Sequence, residues 1–421
     1  MLRLLMMAAL SLTLMSASAA ARVQITPFHQ AMAQAASGDA DIAAFYRARA
    51  FEPVWMGPGA ADRRAAFLWA LEQAAHHGLP TSRYEVEAIR TAFATADTSA
   101  AQGALDVRMT ERFLQYAQDI STGIVTPKKV DPTIVLEVPR RDKLEVMAAF
   151  ATQDPYAVVQ SLWPSAPAYG RLLREKLRLE EMARSGGWGA LVPVSKMEPG
   201  QSGADVVALR DRLIRMGYLE RSLVGHFDAA LEAAVRQFQV DHGLTPDGVV
   251  GRETVQAMNV PLEDRLAQVV IGLERQRWMN KPLEDRHILV NLAEQHAYVV
   301  DQGKVTFDTV VVVGAEEADR RTPEFSEQMT HLVVNPYWHV PRSIAVEEYL
   351  PALRRGGARH LEVHSSAGRV NPNQIDFSRY TARTFPYRLK QPPGPRNALG
   401  RVKFMFPNPY NIYLHDTPAK D

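Results

Sequence analysis

The hydrophobic period of this chain changes once, and the change limits what each part can fold into. Up to Trp278 apolar residues recur at helical spacing; from His287 they gather in β-branched runs. In the first regime Leu105, Met109, Phe113, Tyr116, Ala117 and Ile120 share one face of a helix expected to end near Gly123, and the stripe Leu68, Leu71, Ala75 is stopped by Gly78. In the second, 288–292, 297–300 and 305–313 read as strands, with Asp301-Gln302-Gly303-Lys304 as a hairpin turn. Strand signals recur at 332–334, 402–406 and 412–414. The segment 343–355 reads as helix. The stretch rich in Pro, Gly and Asn from Gly356 to Gly400 is too long for an ordinary loop and implies a lid or capping subdomain.

The chain is therefore expected to be an α+β multidomain protein. At 421 residues it has room for about three domains. A linker from Ser185-Gly186-Gly187 to Pro199-Gly200 opens a second compact unit. There Val206, Leu209 and Leu213 form one stripe, Leu231, Ala234, Val235 and Phe238 another, and turns at Asp247-Gly248 and Gly251 precede a third helix with Thr254, Val255 and Met258. The expected boundaries are 22–190 for a helical scaffold, 196–261 for a three-helix bundle, 262–286 for a connecting helix, and 287–421 for a β-rich domain with its insertion at about 343–400.

Charge narrows the partners. With 48 Lys and Arg against 47 Asp and Glu, no long-range field draws in nucleic acid or an anionic membrane. Arg3, the apolar run from Leu4 to Met15 and the small residues Ser16 to Ala21 form a signal peptide pattern over 1–21, so export to the periplasm or cell envelope is expected. An uncleaved segment anchoring the chain in the inner membrane is the rival reading, although the apolar run is shorter than the ~20 residues that span a bilayer. The chain contains no cysteine, which removes disulfides and lipid attachment at a cysteine and leaves packing to supply stability.

Metal and cofactor chemistry find little footing. His360 and His364 stand four apart, but Gly356-Gly357 before them and Ser365 to Gly368 after them argue for a strand or loop. On a strand that spacing separates them by ~13 Å, too far to share zinc. His76-His77 reads as solvated or cap-like. No Gly-x-Ser-x-Gly elbow or Gly-rich phosphate loop occurs, and no cofactor or metal is expected.

The segments Thr322-Pro323, Asn335-Pro336-Tyr337-Trp338-His339-Val340-Pro341, Gln391-Pro392-Pro393-Gly394-Pro395, Asn397-Ala398-Leu399-Gly400 and Val402 to Pro418 together resemble the large L,D-transpeptidases, which cross-link bacterial peptidoglycan. Phe51-Glu52-Pro53-Val54-Trp55 and His77-Gly78-Leu79-Pro80 with Tyr84 resemble their N-terminal scaffold. Ala234 to Gln239, His242-Gly243-Leu244, Asp247-Gly248-Val249 and Gly251 to Thr254 look like a peptidoglycan-binding domain. The resemblance implies stem peptides and glycan as partners and a cysteine acyl transfer through a thioester. It places the activating imidazole at His415, the base, with Asp416 as the candidate orienting group, against the equal reading of an exposed loop carboxylate. Tyr413, Trp338, Tyr337 and Lys403 are candidate substrate-binding residues, against a core role for the aromatics and a solvent-facing one for Lys403.

The departure from the family is the nucleophile. The family carries it in a Ser-His-Gly-Cys element roughly 15 to 20 residues beyond the histidine, and this sequence stops first, so the expectation is a fragment of a longer product, with apolar edges left open from about His287. The alternative is a non-catalytic peptidoglycan-binding or scaffold protein of the envelope.

Overall fold

The computed structural model describes residues 26–193, 196–315 and 321–417. The segment read as a signal peptide, 1–21, lies outside the described residues. Two compact units emerge.

The first takes the chain up to Ile124 with Arg140–Leu177 and Val269–Arg277. Its longest helix, Ser99–Thr122, starts where the Thr98 hydroxyl accepts the Ala101 N–H (3.1 Å) and ends at Gly123, whose φ of 94° suits a residue without a side chain. The stripe from Leu105 to Ile120 is buried. Phe113 stacks on Phe150 with ring centroids 4.0 Å apart, and Trp55 and Phe67 close the cluster. Asp106, fully buried, accepts the N–H groups of Val54 (3.1 Å), Trp55 (2.8 Å) and Met56 (3.0 Å) and the Tyr46 hydroxyl (2.6 Å), so the Pro53-Val54-Trp55 segment is held by one carboxylate.

His77 corrects the sequence reading. It is neither solvated nor a cap: it is buried, packs against Trp163 and Tyr169, and its Nδ1 lies 2.8 Å from the Tyr169 hydroxyl. Burial, followed by the charge of Arg277, lowers its pKa to about 4. His76 is exposed beside Gln73.

The second unit takes Val125–Pro139, Arg178–Gln268 and the chain from Trp278. Helices Ala204–Met216, Ala229–Asp241 and Arg252–Met258 form its small bundle. The buried Gln239 amide joins the motif residues: it donates to Asp247 (2.8 Å) and to the Val249 carbonyl (2.9 Å) and accepts the Gly248 N–H (2.9 Å). Phe238 is core, stacked on His242 with centroids 3.8 Å apart, and His242 is occupied by the Phe238 carbonyl.

Ten strands follow. β1 (Arg286–Asn291), β2 (His296–Asp301) and β3 (Lys304–Val310) form an antiparallel meander turned at Gln302-Gly303, both with positive φ. β4 (His331–Val334), β9 (Val402–Met405) and β10 (Leu414–His415) form a second sheet in the order β10-β9-β4. β5 (Trp338–His339), β6 (Glu362–Ser365), β7 (Gly368–Val370) and β8 (Arg388–Gln391) form a third in the order β5-β8-β6-β7. That third sheet has its own core, where Val363 and Leu389 pack with Leu350, Leu353, Phe377 and Phe385. His364 lies on strand β6, bonded to Glu362 (3.1 Å), while His360 packs against Tyr349.

The first two sheets are poorly covered. Phe307 is 59% exposed, Val310 74%, Leu332 54% and Val334 67%. Among the described residues, no helix is long and apolar enough to cross a membrane.

Candidate active site

The site is built on β9. In its register His415 of β10 stands opposite Lys403, and Lys403 stands opposite Val333 of β4, so the three share one face. Alternation puts Leu332, Phe404 and Leu414 on the other face.

What aims β10 at β9 is a turn fixed by one amide. Asn408 donates to the carbonyls of Phe406 and Ile412 (2.7 Å each) and accepts the N–H groups of Tyr410 (3.0 Å) and Ile412 (3.2 Å), while Asn411 takes a φ of 56°. Phe406 and Tyr413 then meet with ring centroids 5.7 Å apart.

The other end is fixed by a close approach. Gly400 has a φ of 65°, and a Cβ there would overlap the Cβ of Asp416. Only glycine fits. The loop that carries Gly400, between β8 and β9, is itself held by two buried amides. Asn397 donates to the carbonyls of Pro336 (3.1 Å) and Pro392 (3.0 Å), and Gln391 accepts the Ala398 N–H (2.9 Å) and donates to the Arg396 carbonyl (2.8 Å). The Asn335-Pro336, Gln391-Pro392 and Asn397 to Gly400 motifs are therefore one hydrogen-bonded construction. Sequence reasoning saw the motifs and missed that Asn397 and Gln391 tie them together; polar residues recurring inside turn-rich motifs were the only available signal.

The imidazole of His415 is exposed, and its Nδ1 lies 2.5 Å from the backbone carbonyl of Asp416. A carbonyl can only accept, so Nδ1 is the donor, and in the neutral ring the lone pair is then on Nε2. Asp416 thus meets the imidazole through its main chain, while its carboxylate accepts the Thr417 N–H (2.9 Å). Lys403 is half-buried with its ammonium 3.6 Å from the centroid of the Tyr413 ring, and burial lowers its pKa.

The geometry brings His415, Lys403 and Tyr413 together. Trp338 sits in the third sheet, half-buried and edge-on to Tyr349 with centroids 6.0 Å apart, and Tyr337 before it is exposed. Among the described residues, no cluster of three His, Asp or Glu side chains is arranged to hold a metal ion.

Comparison with known proteins gives the class first. The L,D-transpeptidase catalytic domain matches residues 285–421, a family described as "Putative peptidoglycan binding domain" matches 202–258, and a scaffold domain matches 40–177. The chain carries an L,D-transpeptidase catalytic domain joined to a peptidoglycan-binding domain and a helical scaffold. The particular relative is a "Putative L,D-transpeptidase" of Haemophilus influenzae, 32% identical over 139 residues, which is 32% of this chain and 27% of that protein. The matched stretch therefore spans about a quarter of the relative's length. A crystal structure of a fused Zn-dependent amidase/peptidase/peptidoglycan-binding domain-containing protein from Clostridium acetobutylicum is 21% identical, covering 35% of this chain and 72% of that one, and its TM-score of 0.15 supports no structural argument.

Proposed function

We propose that this chain belongs to an exported peptidoglycan L,D-transpeptidase, in which the small helical bundle binds the wall and His415 is the general base of a cysteine acyl transfer. The observation that carries this reading is the His415 contact: Nδ1 lies 2.5 Å from the Asp416 carbonyl, so in the neutral ring Nε2 is the nitrogen left to act as a base on an exposed strand end.

The chemistry needs such a base because a free thiol has a pKa of about 8.5 and is mostly protonated at neutral pH. Nε2 takes the thiol proton. The thiolate attacks the carbonyl on the L-centre of the diamino acid in a stem tetrapeptide, the bond to the terminal D-alanine breaks, and a thioester remains. An amine of a neighbouring stem then displaces the thiol. Lys403 and Tyr413, beside His415, would line the donor site, with Trp338 of the third sheet and Tyr337 before it as further candidates. These 421 residues contain no cysteine, so on this reading the thiol lies on protein outside them.

The test has two parts. The coding DNA after Asp421 at the native locus is read for a frame containing Ser-His-Gly-Cys. The product of the complete frame is then incubated with a carbapenem and its intact mass recorded. A single covalent adduct is expected, slowed by roughly 100-fold or more in His415→Ala; acylation at an unchanged rate in that variant removes His415 from the mechanism. The lack of cysteine favours one second reading, a non-catalytic wall-binding protein. A stop codon at the end of the sequence, with sacculus binding retained and no adduct formed, would establish it.

A further inference from the structure

Side chains that stand abreast in an antiparallel sheet point to the same face. In the third sheet His339, Lys390 and Glu362 are abreast across β5, β8 and β6. Arg388 and Arg369 flank His364 in the next row. The opposite face, with Val363 and Leu389, is sealed in its own core. The polar face is open: His339, Arg388 and Arg369 are exposed and Lys390 is half-buried.

Its carboxylate is already engaged. Glu362 holds His364 at 3.1 Å and Arg369 at 2.9 Å. Burial first, and then the charges of Lys390, Lys403, His364 and Arg388, keep the pKa of His339 below the ordinary imidazole range. Among these the Lys403 charge matters for location. Lys403 stands opposite His415 on β9, so the field of the candidate site and that of this face are continuous.

We propose that this cationic face binds the free carboxylates of a peptidoglycan stem peptide, holding the peptide in an extended form as it is presented to His415. Lys390 and Arg388 lie two residues apart on one strand, a spacing of about 7 Å, which matches alternate side chains of an extended peptide laid along β8. Neutral glycan gains nothing from these charges. The inference rests on the peptidoglycan reading above and names the part of the polymer that this surface recognises.

The experiment titrates the full chain with a synthetic stem tetrapeptide, either with its carboxylates free or with all of them as amides, and follows binding by calorimetry alongside a sacculus pull-down. The free acid is expected to bind about 10-fold more tightly than the amide, a margin that shrinks in high salt. The double variant Arg388→Gln/Lys390→Gln should lose that preference while still binding sacculi through its helical bundle. Glu362→Gln, which removes the one engaged carboxylate, should bind the free acid more tightly than wild type, a direction that a folding defect cannot produce. Equal affinity for the two peptides, or a preference unchanged in the double variant, overturns the proposal. Sacculus binding with no affinity for either peptide also overturns it and leaves the wall-binding reading standing; loss of both in the wild-type chain sinks the two together.

Discussion

The helical first unit and the two open sheets treat large apolar side chains in opposite ways. Phe113 is fully enclosed, stacked on Phe150 and bounded by Trp55 and Phe67, and even the carboxylate beneath this cluster, Asp106, has its acceptors filled. Phe307 on β3 is the same residue type in a regular strand, yet more than half of it is exposed. The difference teaches where stability resides. The helical unit supplies its own cover, whereas the faces of β1 to β4 present apolar surface that no described residue closes. Secondary structure forms in both, and only one has a core to defend.

Mutation should expose that asymmetry. The largest effect is expected for Phe113→Ala, which leaves a cavity lined by rings and should cost about 3–5 kcal/mol in urea unfolding. A loss below about 1 kcal/mol would mean the cluster collapses freely and the contrast is false.

Next comes acid. His77 has its pKa lowered to about 4, so it is neutral in the folded chain and takes up a proton more readily when unfolded. The sign follows: between pH 6.5 and about 4 the unfolded state binds more protons, and stability is full above 6.5 and falls as the pH drops through that window. The loss is on the order of 3 kcal/mol. Because carboxylates titrate nearby, the measurement is the difference in unfolding free energy between wild type and His77→Phe at successive pH values. A difference that does not change from pH 7 to pH 4 would falsify the assignment.

In the small bundle, Gln239→Ala strands the buried Gly248 N–H that Gln239 now accepts, while the exposed Asp247 carboxylate keeps the Val249 N–H. About 1–3 kcal/mol of stability should go, with sacculus binding lost only at temperatures where the module unfolds. Loss of binding by a fully folded variant, judged by circular dichroism, would instead make Gln239 part of the wall contact.

How far these features could be read in advance depends on their distance along the chain. The stripe from Leu105 to Ile120 and the hairpin at Gln302-Gly303 are local patterns, and local patterns survive in the sequence. His77 was misread because its environment comes from Trp163 and Tyr169, roughly 90 residues away. The family resemblance suggested His415, but nothing in the sequence distinguished the carboxylate of Asp416 from its carbonyl as the group that meets the ring. The cationic face was wholly hidden, since its members lie on four strands drawn from 339 to 390 and become neighbours only through register. Buried amides such as Asn397 and Gln391 look in a sequence like any polar loop residue; only the carbonyls they reach reveal their work.

The smallest expected effect is the sharpest probe of the opening contrast. Phe307→Ala should change the stability of these 421 residues by no more than about 0.5 kcal/mol, because a side chain that is mostly in water in the folded state has little burial to lose. The same substitution made in the product of the complete reading frame is a separate measurement. If further strands cover β3 there, truncation should cost about 3 kcal/mol or more, as in a core, and the gap between the two values measures that cover directly. If Phe307→Ala is equally mild in both, the exposed face of the meander is a true surface of the protein, and the contrast with Phe113 is a property of the fold rather than of the residues considered.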